Sequence, residues 1–184
     1  GPMRIALIVL VTALLGACAQ AARVDQMTTG NVAAPAVSAN PAIESSLTVG
    51  TVSGGTETNP LWTSEVDDAG FRAALEQSLL TNALLSRDAA AARYSVDAHL
   101  VELEQPLFGL TFDVVSLVRY SVRDLTDGSL LLEEEVRATG TASAGDSFFA
   151  AERLRLGNER SISNNIAKFL ALYVERWKTA NAGS

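Results

Sequence analysis

The sequence has very little of the chemistry that metal and redox sites need. Its 184 residues include one cysteine and one histidine, and the 14 Lys and Arg residues are outnumbered by 21 Asp and Glu. A single cysteine cannot form an internal disulfide, and one Cys with one His cannot build a multi-ligand zinc site or a dithiol redox centre. The net charge of -7 argues against nucleic-acid binding, because the phosphate backbone is held mainly by clustered basic side chains. We therefore expect no metal, no cofactor and no nucleic-acid partner.

The apolar run near the amino end is too short to be a membrane span. Gly1-Pro2 is typical of the scar left by tag removal. Arg4 then provides a positive charge before the apolar residues 5–15, a run well below the roughly 20 residues that a transmembrane helix needs. A short positive segment followed by such a run is typical of a signal peptide. The sequence therefore predicts that residues 1–17 are scar and signal peptide.

The end of this run resembles the lipobox of bacterial lipoproteins, with Leu15, Gly16 and Ala17 followed by Cys18. The resemblance implies cleavage before Cys18, diacylglycerol on its sulfur and acylation of the new amino terminus, so that acyl chains make the membrane a partner. A buried core cysteine at the end of a short helix is the alternative.

The residue after the cysteine is Ala19 and not Asp. By resemblance to the enterobacterial sorting rule, this implies that the protein is located on the periplasmic face of the outer membrane. The periplasmic face of the inner membrane is the alternative.

The segment after the cysteine has the composition of a linker. Residues 19–44 are rich in Ala, Thr, Asn and Ser, contain Pro35 and Pro41, and have no Leu, Phe, Tyr or Trp. We expect residues 18–44 to be the lipidated cysteine and a disordered tether with an end-to-end distance of roughly 28 Å. An amino-terminal arm docked on the domain is the alternative. Residues 179–184 are expected to be a disordered tail.

Four segments show the period-two alternation of strands. The residues expected to face the core are Leu47 and Val49; Tyr94, Val96, Ala98 and Leu100; Phe112, Val114, Val118, Tyr120 and Val122; and Leu130, Leu132, Val136 and Ala138. The alternation breaks at Val101, which predicts a bulge. Residues 126–128, Thr-Asp-Gly, predict a hairpin between the third and fourth strands, because Gly tolerates a positive φ.

Two segments show helical periodicity. A first helix is expected over about residues 65–84, beginning at the capping pattern of Ser64 and Asp67, with an apolar stripe of Phe71, Leu75, Leu79 and Ala83. A second helix is expected to begin near Asp146 and to falter at Gly157. The order β-α-β-β-β-α predicts one α+β domain over residues 45–178, with two helices packed on one face of a mostly antiparallel sheet of about four strands.

The polar residues form no pattern typical of catalysis. His99 lies on the polar face of the second strand near Asp97, without a nucleophile motif or a second histidine. Residues 133–135, three glutamates, are more typical of a charged strand edge than of a metal site. We therefore expect no catalytic residue and a protein that is not an enzyme.

Two loops carry large apolar side chains where polar turn residues would be expected. Leu61 and Trp62 lie in one loop, and Leu107 and Phe108 lie in the other. Exposed aromatic side chains are typical of contacts with a partner protein or with lipid. The alternative is that Trp62 packs on the start of the first helix and Phe108 caps the core.

A third candidate contact surface is cationic. Arg153 and Arg155 lie close together in an otherwise acidic protein. We expect them either to contact a partner or to form an ordinary solvated helix face.

The motif order resembles known envelope lipoproteins. A lipobox followed by strand, helix, three strands and a long helix is similar to small lipoproteins of envelope assembly and lipid transport. Four blocks resemble those of an uncharacterised alphaproteobacterial lipoprotein family, whose members sometimes carry the name UDP-N-acetylglucosamine acyltransferase. These blocks are residues 59–62, 105–110, 118–120 and 153–159.

The sequence favours a non-enzymatic, lipid-anchored periplasmic module that contacts a protein or lipid partner in envelope assembly or transport. One alternative is an enzyme that transfers an acyl or sugar group through His99 and Asp97. Another is a structural envelope protein that self-associates through a sheet edge. The sequence leaves the partner and the oligomeric state open.

Overall fold

The computed structural model describes residues 18–60 and 63–183. One four-stranded sheet has the order β1 (Leu47–Ser53), β2 (Tyr94–Glu104), β3 (Thr111–Asp124) and β4 (Leu130–Ser143). β1 pairs in parallel with β2, and the other two pairings are antiparallel. The described α-helices are α1 (Val24–Met27), α2 (Ala34–Ser38), α3 (Asp68–Thr81) and α4 (Ala150–Ala180), with short 3-10 turns at Pro41–Ile43 and Ala89–Ala91. The α+β prediction is confirmed.

The alternating residues of the strands do face the core, with one exception. Leu130 is half-exposed at the start of β4, and the buried alternation begins at Leu132. The register shifts between Leu100 and Glu102, which confirms the predicted bulge. The predicted hairpin is also present, with Gly128 at a φ of +77°.

α4 covers one face of the sheet and forms much of the core. Its apolar side Ile162, Ile166, Phe169 and Tyr173 is fully buried. The Phe169 ring stacks on Tyr120 of β3 with the ring centroids 4.2 Å apart. Burial of this apolar side stabilises the packing of a long amphipathic helix against the sheet.

The predicted interruption at Gly157 is wrong, because the helix continues through this residue. The glycine instead allows close packing. A Cβ on Gly157 would lie 2.7 Å from Cγ2 of Val114, and one on Gly140 would lie 2.1 Å from the backbone nitrogen of Ser161. Glycines at both positions let the backbone of α4 approach β3 and β4 closely.

Both long helices begin later than predicted. Asp67, and not Ser64, caps α3, and its carboxylate accepts a hydrogen bond from the Gly70 amide at 2.6 Å. α4 begins at Ala150 because Asp146 instead accepts from the Ser143 amide and pairs with Arg160 at 2.9 Å. α3 also ends early, at Thr81. Ala83, expected in its apolar stripe, has a φ of 58° beyond the helix and is exposed.

Residues 19–44 are docked on the domain and do not form the expected free tether. α1 contacts both α3 and α4, and Met27, Val37 and Ile43 are fully or almost fully buried in the core. This segment is called the arm below. It therefore belongs to the folded domain, as in the alternative stated above.

Buried polar side chains of α3 hold the backbone of the arm. The Asn82 side chain accepts hydrogen bonds from the amides of Ala33 (2.8 Å) and Ala34 (3.1 Å) and donates to the Gly30 carbonyl (3.0 Å). Ser78 accepts from the Thr29 amide at 3.0 Å. These bonds satisfy backbone groups that an irregular buried segment would otherwise leave without partners.

The carboxyl end is also more ordered than predicted. α4 extends to Ala180, and Asn181 donates a side-chain hydrogen bond to the Trp177 carbonyl at 2.8 Å. The described part of residues 179–184 therefore continues the domain. None of the helices described is long and apolar enough to cross a membrane.

Candidate functional site

Cys18 lies at one end of the sheet, where β1, β2 and β4 finish and β3, α3 and α4 begin. This end, called the Cys18 end, contains the loops 54–67, 105–110 and 144–149. The cysteine is exposed, so the alternative of a buried core cysteine is wrong. The lipobox residues Leu15, Gly16 and Ala17 fall outside the described residues.

The chain after Cys18 is attached to the domain at once. The Ala19 amide donates to the Pro60 carbonyl at 2.9 Å, and the Ala22 amide donates to the Glu65 carbonyl at 3.2 Å. Ser64 donates its hydroxyl to the Gln20 carbonyl. The cysteine is therefore held against the loop 54–67 and has no flexible spacer.

Gln105 and Asn158 connect that loop to the rest of the Cys18 end. The Gln105 amide donates to the Ser64 carbonyl at 2.8 Å and to the Asn158 side-chain oxygen at 2.9 Å. Asn158, fully buried in α4, donates to the same Ser64 carbonyl at 3.0 Å. The loop after β1, the loop after β2 and the start of α4 are thus joined by side-chain hydrogen bonds.

Five large apolar side chains project from the Cys18 end. This group, called the apolar tip, comprises Leu107 (92% exposed), Phe108 (86%), Leu110 (76%), Phe148 (90%) and Phe149 (52%). Phe108 therefore does not cap the core, and the exposure expected of Leu107 and Phe108 is present. Their contact with a partner stays a prediction. Leu61 and Trp62 lie outside the described residues.

Arg153 joins the two loops that carry the apolar tip. Its guanidinium donates to the Gly109 carbonyl (3.0 Å) on one side and to the carbonyls of Ser147 and Phe148 (3.0 Å each) on the other. It also lies over the Phe112 ring, 5.0 Å from the centroid. Planar guanidinium groups are suited to such multiple donation and stacking.

The cationic patch predicted from Arg153 and Arg155 does not exist as a free surface. Both side chains are buried. Arg155 lies 3.2 Å from a Glu152 oxygen and 3.8 Å from one of Glu159, which in turn pairs with Arg23 of the arm at 3.2 Å. The hydrogen bond to Glu159 raises the pKa of Arg23. The arginines are therefore structural, because Arg153 donates to backbone carbonyls and Arg155 pairs with the carboxylates of Glu152 and Glu159.

The residues of the enzymatic alternative are not assembled around His99. Its Nδ1 lies 2.9 Å from the Ser53 hydroxyl, while the Asp97 carboxylate accepts from the Thr51 amide at 2.6 Å. In the described contacts Asp97 therefore orients a strand and not the imidazole. A serine and a histidine alone do not make a triad, because in the described contacts no acid holds the imidazole. The described residues also contain no cluster of three His, Cys, Asp or Glu side chains that could hold a metal.

A cleft of about 300 Å³ lies beside the bulge of β2 at the Cys18 end. Glu65 and Glu102 are the ionisable residues among those that line it. Burial raises the pKa of the Glu65 carboxyl. Two glutamates in a cleft whose described lining includes no basic residue support no reaction that we can assign.

The free edge of β4 is covered by side chains of α4. Arg176, Lys168, Asn164 and Arg160 donate to the carbonyls of Leu131, Arg137, Thr139 and Thr141 at 2.7 to 3.3 Å. At the other edge, Arg72 donates to two carbonyls of β1, at 2.6 and 3.0 Å. Covered edge carbonyls disfavour strand addition, and so oppose self-association through the sheet edge.

Sequence reasoning missed Phe148, Phe149 and the arginine that joins the loops. Two aromatic residues directly after Asp146 and Ser147 stand where a helix start is normally polar. That anomaly was the available signal. The joining role of Arg153 had no local signal, because Gly109 and Phe112, its partners on the other loop and on β3, are distant in the sequence.

The chain matches no protein-family model and no curated protein. Solved structures do share its fold. A protein of the family DUF330 from Xanthomonas campestris is 8% identical, with a TM-score of 0.56 over 78% of this chain and 93% of that one. A candidate lipoprotein from Caulobacter crescentus (16%, TM-score 0.50) is matched over 76% and 95% of the two chains, and a hypothetical protein from Chlamydia trachomatis (15%, TM-score 0.50) over 73% and 98%. At these identities the similarity establishes the shared α+β fold.

Proposed function

We propose that this protein is a lipid-anchored, non-enzymatic binding or assembly module of the bacterial envelope, attached through acyl chains on Cys18. The observation that carries the proposal is the position of Cys18. It is exposed, it follows residues that resemble a lipobox, and the next residue is hydrogen-bonded to the loop that neighbours the apolar tip. The anchor and the most apolar surface of the domain therefore lie at one end.

The fold comparison supports the same class of function. A protein of this fold from Caulobacter crescentus is described as a candidate lipoprotein, and this chain matches 95% of it. We place the protein on the periplasmic face of the outer membrane, with the inner membrane as the alternative, because Ala19 follows the cysteine. The partner is a protein or a lipid that meets the Cys18 end.

The decisive experiment for the anchor compares wild type with Cys18→Ser in the native host during growth with an alkyne-tagged palmitate. We expect label on the wild-type chain and its recovery in outer-membrane fractions, and neither for Cys18→Ser. Ala21→Ser, an exposed position in the same segment, is the matched control and should behave as wild type. Label that persists on Cys18→Ser would refute the anchor.

The partner is identified by crosslinking in the same host. A photoreactive side chain at position 108 should give a specific crosslinked product, whereas the same group at Leu125, in the hairpin at the far end of the sheet, should not. Equal products from both positions would show that the Cys18 end is not the contact surface.

A further inference from the structure

The side chains of the apolar tip project from the protein instead of lining a groove. Leu107, Phe108 and Phe148 are each at least 86% exposed, so almost no protein atom packs against them. A projecting aromatic or leucine side chain gains free energy when it enters an apolar phase that closes around it. A rigid protein partner would need a matching cavity for each of these side chains. The interfacial region of a bilayer is fluid and needs no such preformed cavities.

The attachment of Cys18 fixes the distance between the tip and the anchor. Ala19 is bonded to Pro60, and the arm that follows is docked on the domain through the buried side chains of Met27, Val37 and Ile43. No free length of chain therefore lets the domain move away from its anchor. Hydrogen bonds from Gln105 and Asn158 to Ser64 then join the anchoring loop to the loop of the tip. Acyl chains that enter a bilayer at Cys18 bring the Cys18 end to the headgroups.

We infer that the apolar tip inserts into the interfacial region of the bilayer that holds Cys18, as a second membrane contact. This inference rests on the proposed lipid anchor and names the bilayer lipid as the partner of the tip. Arg153 prepares the contact, because one guanidinium fixes the loop of Leu107 and Phe108 relative to that of Phe148. Pre-ordered loops lose little conformational entropy on insertion.

The charges near the tip indicate that the contact is apolar and not electrostatic. Asp146 pairs with Arg160 at 2.9 Å, and Glu104 pairs with Arg137 at 3.1 Å. The guanidinium of Arg153 donates its hydrogen bonds to backbone carbonyls. The protein as a whole is acidic. Insertion should therefore not require anionic lipid and should not be lost in high salt, in contrast to polybasic membrane binding.

The test uses the chain from residue 18 with Cys18→Ser, which keeps every element described and has neither acyl chains nor the apolar residues 5–15. Its flotation with phosphatidylcholine vesicles is measured as a function of lipid concentration. The tip variant carries Leu107→Ser, Phe108→Ser and Phe148→Ser. The matched control carries Leu125→Ser and Leu130→Ser, two half-exposed leucines at the opposite end.

We expect the parent to float with these vesicles and the control to partition equally. The tip variant should partition at least about tenfold less, since burial of one such side chain is worth roughly that factor. Equal melting temperatures of all three proteins show that the exposed substitutions leave the fold intact. The partition of the parent should not be lost in high salt and should not increase when anionic phosphatidylglycerol is added, because an acidic protein gains nothing from an anionic surface.

Four results would overturn the inference. The first is that the parent does not bind, and the second is that the tip variant binds as well as the parent. The third is that binding requires anionic lipid or is lost in high salt. The fourth is that sedimentation shows the tip holding two copies of the chain together. Because no acyl chain is present, these results are independent of the palmitate experiment. A missing anchor and a non-inserting tip are thus separate outcomes.

Discussion

Replacing Met27 with alanine should destabilise the protein by about 3 kcal/mol, because the arm is part of the core. The Met27 side chain is fully buried, and its Cε lies 3.4 Å from the position that a Cβ on Gly70 would occupy. The substitution removes three heavy atoms, worth about 0.8 kcal/mol each in transfer free energy, and leaves a cavity between α1 and α3. The sum falls within the range of about 2–5 kcal/mol measured for buried Met→Ala changes.

Urea unfolding followed by circular dichroism measures this change. With a slope of about 1–3 kcal/mol per molar urea, the midpoint should fall by roughly 1–3 M. Val32→Ala is the matched control, because Val32 lies on the same arm and is 54% exposed. It should change the free energy of unfolding by less than about 0.5 kcal/mol.

Hydrogen exchange distinguishes a docked arm from one that opens locally. The amides of Thr29 and Ala33, bonded to Ser78 and Asn82, should be protected in wild type and lose protection in Met27→Ala. A loss of stability below about 0.5 kcal/mol in Met27→Ala, together with unprotected arm amides in wild type, would show that residues 19–44 are a tether after all.

Two further substitutions test the packing of α4 and an ion pair at the hairpin end. Gly140→Ala should destabilise by at least about 2 kcal/mol in urea unfolding, because its Cβ would lie 2.1 Å from the Ser161 nitrogen, whereas Gly145→Ala, with its nearest atom at 3.4 Å, should be nearly neutral. Arg93 lowers the pKa of Asp124 to about 2, so the pair contributes about 1 kcal/mol above the ordinary pKa of 3.8, and that contribution is lost as the pH falls through 2. Asp124→Asn should therefore be less stable than wild type at pH 7, and the difference should shrink as the pH falls from 3.8 through 2; a difference at pH 2 as large as that at pH 7 would contradict this account.

The sheet could be predicted because its signal is local. Residues such as Val96, Val118 and Val136 alternate with polar neighbours, and the break at Val101 marked the bulge. The helix boundaries could not, because they depend on capping contacts made in three dimensions. Asp146 looked like a helix start, yet its carboxylate is taken by Arg160.

The arm was misread because composition alone undervalues a few buried side chains. Residues 19–44 lack Leu and aromatic residues, but Met27, Val37 and Ile43 each fill a site on the core. The backbone between them is held by Asn82, whose partners lie about 50 positions away in the sequence. No rule based on local composition could assign that asparagine to the arm.

The exposed apolar residues of the candidate site could be predicted from the sequence, but the arginine that joins its loops could not. Leu107 and Phe108 were identified because apolar residues are unexpected in a turn, and the same reasoning could have identified Phe148. For Arg153 the sequence predicts a surface charge, because arginine side chains usually lie at the protein surface. Its burial depends on three carbonyls from two loops that only the folded chain brings together.

The docked arm changes what an acyl anchor at Cys18 would do. A flexible tether of the expected length would let the domain rotate freely and reach partners roughly 28 Å from the headgroups. With the arm docked, the reach is set by the sheet. β3 has 14 residues, and at about 3.3 Å per residue it spans at most about 46 Å from the Cys18 end to the hairpin. The acyl chains and the apolar tip would be two contacts at one end of the domain, and together they would restrict its rotation. The strands would then point away from the bilayer, and the covered edges of β1 and β4 would face sideways. A protein partner would then meet either the hairpin end or the face of the sheet opposite α4, where Asp97, His99 and Arg119 are exposed, at a height above the bilayer that the fold determines.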